Sequence, residues 1–101
     1  MSQPLAGFDW DAGNLAKCQK HGVSVAEIEG LFESPLLLVP DTAHSRTESR
    51  KWAIGKSVAG RLIFVVFTIR PRKGRRLIRP ISARYMHAKE IVSYEEENPN
   101  L

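Results

Sequence analysis

Residues 61–69 read RLIFVVFTI, an unbroken run of mainly β-branched and aromatic side chains without Gly or Pro. Such a run is typical of a central strand that is covered on both faces. Residues 71–74 (PRKG) predict a turn, and the alternation in 76–82 (RLIRPIS) predicts a second strand. Because so short a connection suffices only for a hairpin, the two strands should be antiparallel. Pro80 indicates that the second strand lies at a sheet edge or contains a bulge.

Two short helices are predicted before this hairpin. Asp9 or Asp11 is a suitable N-cap for the first, which should end at residues 20–22 (KHG), where Gly can adopt a left-handed conformation. The second begins at Ser24, and Glu27 completes a capping box. Its apolar stripe consists of Val25, Ile28, Leu31 and Phe32. The i, i+3, i+6, i+7 spacing of this stripe predicts a helix face turned toward a core.

Further strands are predicted near residues 8–10, 36–39 and 50–57, and a last helix over 86–97. In the third of these strands, Trp52 and Ile54 should share one face and be buried. A run of strands with helices grouped at the ends indicates an α+β fold. We expect a single antiparallel sheet of about four strands, packed on one side by two N-terminal helices and one C-terminal helix. One domain should span residues 1–101, with 1–7 and 98–101 frayed.

The net charge of +4 hides a segregation of charge along the chain. Residues 1–45 carry a net charge of −4, residues 46–89 carry +12, and residues 90–101 carry −4. Concentrated cations on the sheet segment favour a polyanionic ligand such as nucleic acid, or an acidic protein that covers the same surface. The alternative is a charged face that only keeps the chain soluble.

Composition also excludes several classes of protein. The single cysteine, Cys18, excludes an internal disulfide, and without a cluster of Cys or His ligands we expect neither a metal site nor a cofactor. No apolar run approaches the roughly 20 residues that span a bilayer, and the first residues lack the pattern of a signal peptide. We therefore expect a cytoplasmic protein that does not bind membranes.

Several spaced motifs resemble those of a known family. They are FDWD at 8–11, KHGVS at 20–24, Asp41 with His44-Ser45, Glu48 with Arg50, Ile54-Gly55, GRL at 60–62, Phe67-Thr68 with Arg70, Ile78-Arg79, ISAR at 81–84, and Glu90 with Tyr94-Glu95. In order and spacing they resemble the BrnT family, the ribonuclease toxins of type II toxin-antitoxin systems. The chain departs from the family at Asn14, where members often carry Lys, and at residues 85–88 (YMHA), where many members have basic residues.

The resemblance implies a RelE-like fold and an endoribonuclease that cleaves RNA and inhibits translation. Because no cluster of Cys, His or carboxylate side chains has the spacing of metal ligands, we expect cleavage without a metal. It also implies a cognate BrnA-like antitoxin of the ribbon-helix-helix class, with operator DNA bound only through the antitoxin complex. Arg50, Arg70, Arg79 and Arg84 match the family pattern, and we assign them phosphate binding and transition-state stabilisation. Arginine suits both tasks because it stays charged and offers a planar fork of donors.

The proton carrier is left open between several residues. His44 lies in a polar loop and His87 opens the last helix, and histidine is the side chain most often used for general acid–base chemistry. Glu48 and Tyr94 are further candidates, although orienting an arginine is the alternative role of Glu48. Lys51, Lys56, Arg61 and Tyr94 complete the predicted substrate-binding residues, although the spacing of Tyr94 also predicts core packing. Trp52 could stack a base, but its alternation with Ile54 favours burial.

A second class of function also fits the composition. A nucleic-acid or protein binding module could use the same basic sheet without catalysis. Such a binder would need only a diffuse basic patch with exposed aromatic residues. The separately spaced arginines with nearby histidines favour the enzyme.

Overall fold

A computed structural model describes residues 5–41 and 49–99 of the chain. Its elements in chain order are β1 (Leu5–Phe8), α1 (Ala12–Gln19), α2 (Val25–Leu31), β2 (Leu37–Asp41), β3 (Arg50–Lys56), β4 (Leu62–Arg72), β5 (Arg75–Tyr85) and α3 (Ala88–Glu97). This is the predicted α+β class, with two helices before the main strands and one after them. None of the described helices is long and apolar enough to cross a membrane.

The sheet has five strands in the order β1-β5-β4-β3-β2. The neighbouring pairs among β2, β3, β4 and β5 are antiparallel, but β1 is parallel to β5, with Leu5 opposite Arg76 and Phe8 opposite Ile78. The predicted antiparallel sheet of about four strands is therefore wrong in strand number and in the direction of β1. Residues 5–7, expected at a frayed end, belong to this strand.

Apolar side chains cover both faces of the sheet. On β4, Ile63, Val65 and Phe67 join the main core with Val23 and Ile28 from the α1–α2 region. The alternate positions Leu62 and Phe64 point to the opposite face because side chains alternate along a strand. There they pack in a second cluster that includes Ile54, Ile91 and Tyr94. The helices thus lie on both faces of the sheet, which corrects the predicted one-sided packing.

The β4–β5 hairpin closes more tightly than predicted. Arg72 pairs with Arg75, so that only Lys73 and Gly74 form the loop. Both loop residues have positive φ, 51° and 75°, as a two-residue turn that matches the right-handed twist of the strands requires. Pro71 is a strand residue, which corrects the turn predicted over 71–74.

A bulge interrupts β5 next to Pro80. Val66 pairs with Ser82 and Phe67 with Pro80, which leaves Ile81 as the extra residue. β5 lies between β1 and β4, so the edge alternative for Pro80 is wrong and the bulge alternative is confirmed. The buried Asn14 amide fixes this irregular backbone, because its Nδ2 donates to the carbonyl oxygens of Pro80 at 2.8 Å and Asp9 at 2.9 Å.

The starts of α1 and α2 follow the predicted capping. Asp11 caps α1 by accepting from the backbone N–H groups of Gly13 and Asn14. Ser24 caps α2, and its backbone N–H donates to the carboxylate of Glu27 at 3.1 Å. Gly22 has a φ of 88°, the left-handed conformation expected after α1. These caps fix where α1 meets the sheet.

Candidate active site

A polar row crosses four neighbouring strands of the sheet. Asp41 pairs with Arg50, Arg50 with Thr68, and Thr68 with Arg79. Cross-strand partners share a face, so both arginines project from the same side of the sheet. Arg70 joins that side two positions beyond Thr68 on β4. Three adjacent strands therefore each supply one guanidinium group to a common region.

These arginines line a cleft of about 320 Å³. Its walls are formed by Gly13, Asn14, Lys17, Arg50, Arg70, Arg79 and Ile81. Lys17 adds a fourth cation from α1, and within residues 5–41 and 49–99 no carboxylate lines this cleft. A cleft walled by four cations is suited to an anion with several oxygens, such as a phosphodiester.

Two carboxylates hold Arg79 in place from behind the cleft. Its Nη2 donates to Asp11 Oδ2 at 2.8 Å, and its Nη1 lies 3.5 Å from Asp9 Oδ2. The Arg79 side chain retains only 17% of its exposure. The pKa of Asp11 is lowered, chiefly by the backbone N–H of Asn14 and then by Arg79. Asp11 is therefore ionised at neutral pH and fixes the orientation of Arg79 through their ion pair.

A second cleft, of about 260 Å³, adjoins the first. Its walls are Asp41, Arg50, Trp52, Phe64, Val66, Ile81 and Ser82. Arg50 and Ile81 border both clefts. Trp52 is only half-buried, whereas Ile54 lies in the core. The predicted burial of Trp52 is therefore wrong, and its ring lies beside the cationic cleft.

Arg84 lies apart from the other three arginines. The bulge places Arg79 and Arg84 on one side of the sheet, as their pairing with Thr68 and Phe64 shows. Those two partners are four residues apart on β4, a separation of about 13 Å along the strand. Arg84 forms a bidentate ion pair with Glu90, at 2.7 and 2.9 Å, and its Cζ lies 4.9 Å above the Phe64 ring.

The ion pair with Arg84 lowers the pKa of Glu90. Hydrogen bonds from Arg84, and then from the His87 backbone, lower the pKa of Glu90 to about 2. His87 is the N-cap of α3, and its side chain is 77% exposed. His87 lines neither of the two clefts.

The other predicted substrate-binding residues are dispersed. Tyr94 is 7% exposed and packs in the second core cluster, as its helical spacing predicts. Lys51 projects from the opposite face to Arg50, because the two are consecutive on β3. Lys56 and Arg61 lie at the other end of the sheet, where the Arg61 guanidinium stacks 3.5 Å from the centre of the Tyr85 ring.

Two predicted residues, His44 and Glu48, lie outside the described residues. The described chain resumes at Ser49, whose carbonyl accepts from Thr68 Oγ1 at 2.8 Å. Across residues 5–41 and 49–99, no group of three His, Cys, Asp or Glu side chains is arranged to hold a metal ion.

Sequence reasoning missed the contribution of α1 to the cleft. Asn14 and Lys17 are three residues apart and so lie on the same side of the helix. Their polar character beside the buried Cys18 was the available signal. Without the parallel β1–β5 pairing, nothing indicated that α1 would lie next to the bulge.

A family model described as the ribonuclease toxin BrnT of type II toxin-antitoxin systems matches residues 10–90. The matched range includes all the described residues that line the two clefts. No curated protein matches the chain significantly. Because the model covers most of the 101 residues, the chain belongs to the BrnT family of ribonuclease toxins from type II toxin-antitoxin systems.

Proposed function

We propose that this toxin is a metal-independent endoribonuclease whose active site is the cleft between Arg50, Arg70 and Arg79. The observation that carries the proposal is the meeting of three guanidinium groups, from three adjacent strands, in one cleft. A phosphodiester bound there would meet donors from several directions. Such an arrangement can hold the phosphate in line and stabilise the charge that develops in the transition state.

In the proposed reaction the ribose 2′-oxygen attacks the adjacent phosphorus. The O2′–P bond forms and the P–O5′ bond breaks, which leaves a 2′,3′-cyclic phosphate and a 5′-hydroxyl. One proton leaves the 2′-hydroxyl and another reaches the departing O5′. The arginines take the negative charge of the phosphorane-like transition state, since they remain protonated throughout.

We assign the proton transfers to His44, with His87 and Glu48 as the other candidates. The segment containing His44 and Glu48 joins strands β2 and β3, whose ends meet where Asp41 pairs with Arg50. That connectivity supports a role near the cleft. His87 is exposed and belongs to the α3 end of the sheet, beside the Arg84–Glu90 pair. For Arg84 we propose that it positions α3 rather than contacting the scissile phosphate.

In the cell, we propose, cleavage inhibits translation in the cytoplasm until a BrnA-like ribbon-helix-helix antitoxin covers the cationic clefts. Operator DNA would then be bound only through the antitoxin. Lys17 and the three cleft arginines give an acidic partner segment a strong electrostatic target. The five-stranded sheet with helices on both faces is, we propose, a variant of the RelE-like fold.

The test is cleavage of RNA by the purified chain in EDTA. We expect full activity and products that end in 5′-hydroxyl and 2′,3′-cyclic phosphate. Arg79→Ala should lower kcat by at least about 100-fold, as the loss of one transition-state donor does elsewhere. Arg79→Lys should recover little, because an ammonium group lacks the planar fork.

Arg75→Ala is the matched control, because this exposed arginine lies at the hairpin tip on the same strand and lines neither cleft. It should cleave at the parental rate. Activity that is lost in EDTA and restored only by a divalent metal would overturn the mechanism. Absence of cleavage on every RNA tested would favour the binding module.

A further inference from the structure

Trp52 lines the second cleft, which adjoins the cleft of the three arginines, and the proposed phosphate chemistry gives it no role. It follows Arg50 by two residues on β3, so the two side chains project from the same face about 6.6 Å apart along the strand. The ring of Phe64 packs against it with centroids 5.0 Å apart and planes inclined at 53°. The guanidinium of Arg84 packs over the Phe64 ring. Trp52 is thus supported from one side and lines the cleft with its remaining surface.

The surroundings of Trp52 differ from those of a core residue. Its cross-strand partners are Val39 and Val66, small side chains that leave room above the sheet. Asp41 and Ser82 supply a carboxylate and a hydroxyl to the same cleft. An aromatic ring flanked by hydrogen-bonding groups, next to a phosphate site, is the usual composition of a nucleobase subsite.

We propose that the Trp52 cleft binds an unpaired nucleobase of the RNA, adjoining the phosphate held by the arginines. This inference rests on the ribonuclease function proposed above and specifies its substrate class as single-stranded RNA. A base in a duplex is already stacked and paired, so it cannot reach a ring on the sheet surface without being extruded. The toxin should therefore prefer loops and unstructured stretches over helices.

The chain offers a direct spectroscopic test, because Trp10 and Trp52 are its only tryptophans. Trp10 donates from Nε1 to Glu29 at 3.0 Å and lines neither cleft. In a Trp10→Phe variant, all indole fluorescence comes from Trp52. The probe is a short mixed-sequence 2′-O-methyl RNA, which lacks the nucleophile and cannot be cleaved. Single-stranded probe should quench the fluorescence, and the same strand annealed to its complement should not.

Binding of the probe should weaken about 10- to 100-fold in Trp52→Ala, since stacking on an aromatic side chain supplies affinity of that order. Trp52→Phe should restore most of the affinity, and Arg75→Ala should leave it unchanged. On cleavable RNA, Trp52→Ala should raise KM more than it lowers kcat, because stacking binds ground state and transition state alike. Circular dichroism of each variant checks that it is folded.

Equal quenching by duplex, or parental affinity in folded Trp52→Ala, would overturn the base subsite. If EDTA-resistant cleavage persists in that case, the proposed ribonuclease mechanism stands without the subsite. Conversely, quenching by the single strand in a protein that cleaves no RNA would support the subsite and refute the mechanism. The two proposals can therefore fail separately.

Discussion

Replacing Asn14 should weaken both the fold and the cleft. Its amide makes three hydrogen bonds: Nδ2 donates to Asp9 O and Pro80 O, and Oδ1 accepts from the backbone N–H of Asp11 at 2.7 Å. Each such bond contributes about 1 kcal/mol net, and a buried carbonyl left without a donor costs more. With Asn14 only 5% exposed, Asn14→Ala should lower the free energy of unfolding by about 3 kcal/mol.

That loss is a large fraction of the roughly 5–15 kcal/mol that stabilises a domain of this size. The melting temperature should fall by about 15 °C, at roughly 4–8 °C per kcal/mol. The matched control is Gln19→Ala on the same helix, whose exposed amide makes one long bond of 3.3 Å. It should change stability by less than about 0.5 kcal/mol. Urea unfolding followed by circular dichroism measures both variants.

Asn14→Asp sharpens the test because it keeps the shape but replaces the donor by a carboxylate. That carboxylate would face two carbonyl oxygens, so its pKa should be raised above the ordinary value near 3.9. A raised folded pKa gives stability that is present below the unfolded pKa and lost as pH rises. Relative to the parent at each pH, the variant should therefore be more destabilised at pH 7 than at pH 4.

The catalytic consequence follows from the position of Asn14 beside the bulge. Without its hydrogen bond to Pro80, the neighbouring Arg79 loses part of its fixed position. At a temperature where Asn14→Ala remains folded, kcat/KM should fall by about 10-fold or more. If Asn14→Ala unfolded at the same urea concentration as Gln19→Ala, the claim that this amide anchors the bulge would be refuted.

Three further outcomes are expected. Association with the antitoxin should slow with added salt far more than dissociation accelerates, and a salt-independent association rate would contradict electrostatic steering. Glu90→Gln should lower the free energy of unfolding by about 1 kcal/mol at pH 7, a value reduced because solvent screens the partly exposed ion pair with Arg84. The lowered pKa of Glu90 in the folded chain gives stability that acid removes. The difference from the parent should therefore vanish as pH falls from about 4.5 toward 2. Cys18 is fully buried, and burial raises the pKa of its thiol to about 11. Iodoacetamide at pH 8 should therefore modify Cys18 in urea but not in the native protein. Rapid labelling of the native protein would show that α1 opens locally.

Local signals in the sequence were sufficient for much of this fold. The caps at Asp11 and Ser24, the hairpin strands, and the bulge beside Pro80 depend on a few consecutive residues, and all are confirmed. The run at 61–69 also indicated cover on both faces, which the structure shows. What failed was the placement of α3, because its amphipathic pattern shows that one side is buried but not against which face of the sheet.

The contacts at the site that the sequence did not indicate have a similar origin. The parallel pairing of β1 with β5 joins residues about 70 positions apart in the chain. The four residues of β1 are too few to show a hydrophobic pattern that would identify its partner strand. Arg84 matched the arginine pattern, but its partner Glu90 lies on the next element, where strand spacing no longer applies. Trp52 and Ile54 share a face, yet α3 covers only the second of them. Which part of a face is covered is a tertiary property that alternation cannot encode.

The cleft is built from parts of the chain that a ribosome makes at very different times. Asn14 reaches Pro80 across 66 residues, and Lys17 faces arginines from β3, β4 and β5. A nascent chain exposes α1 first and β5 nearly last, and domains generally fold as units. Until Arg79 has emerged, the proposed phosphate site lacks one wall and the bulge that shapes it. On the site proposed above, a partly synthesised chain lacks an arginine that cleavage needs, so we expect activity only after β5 has been made.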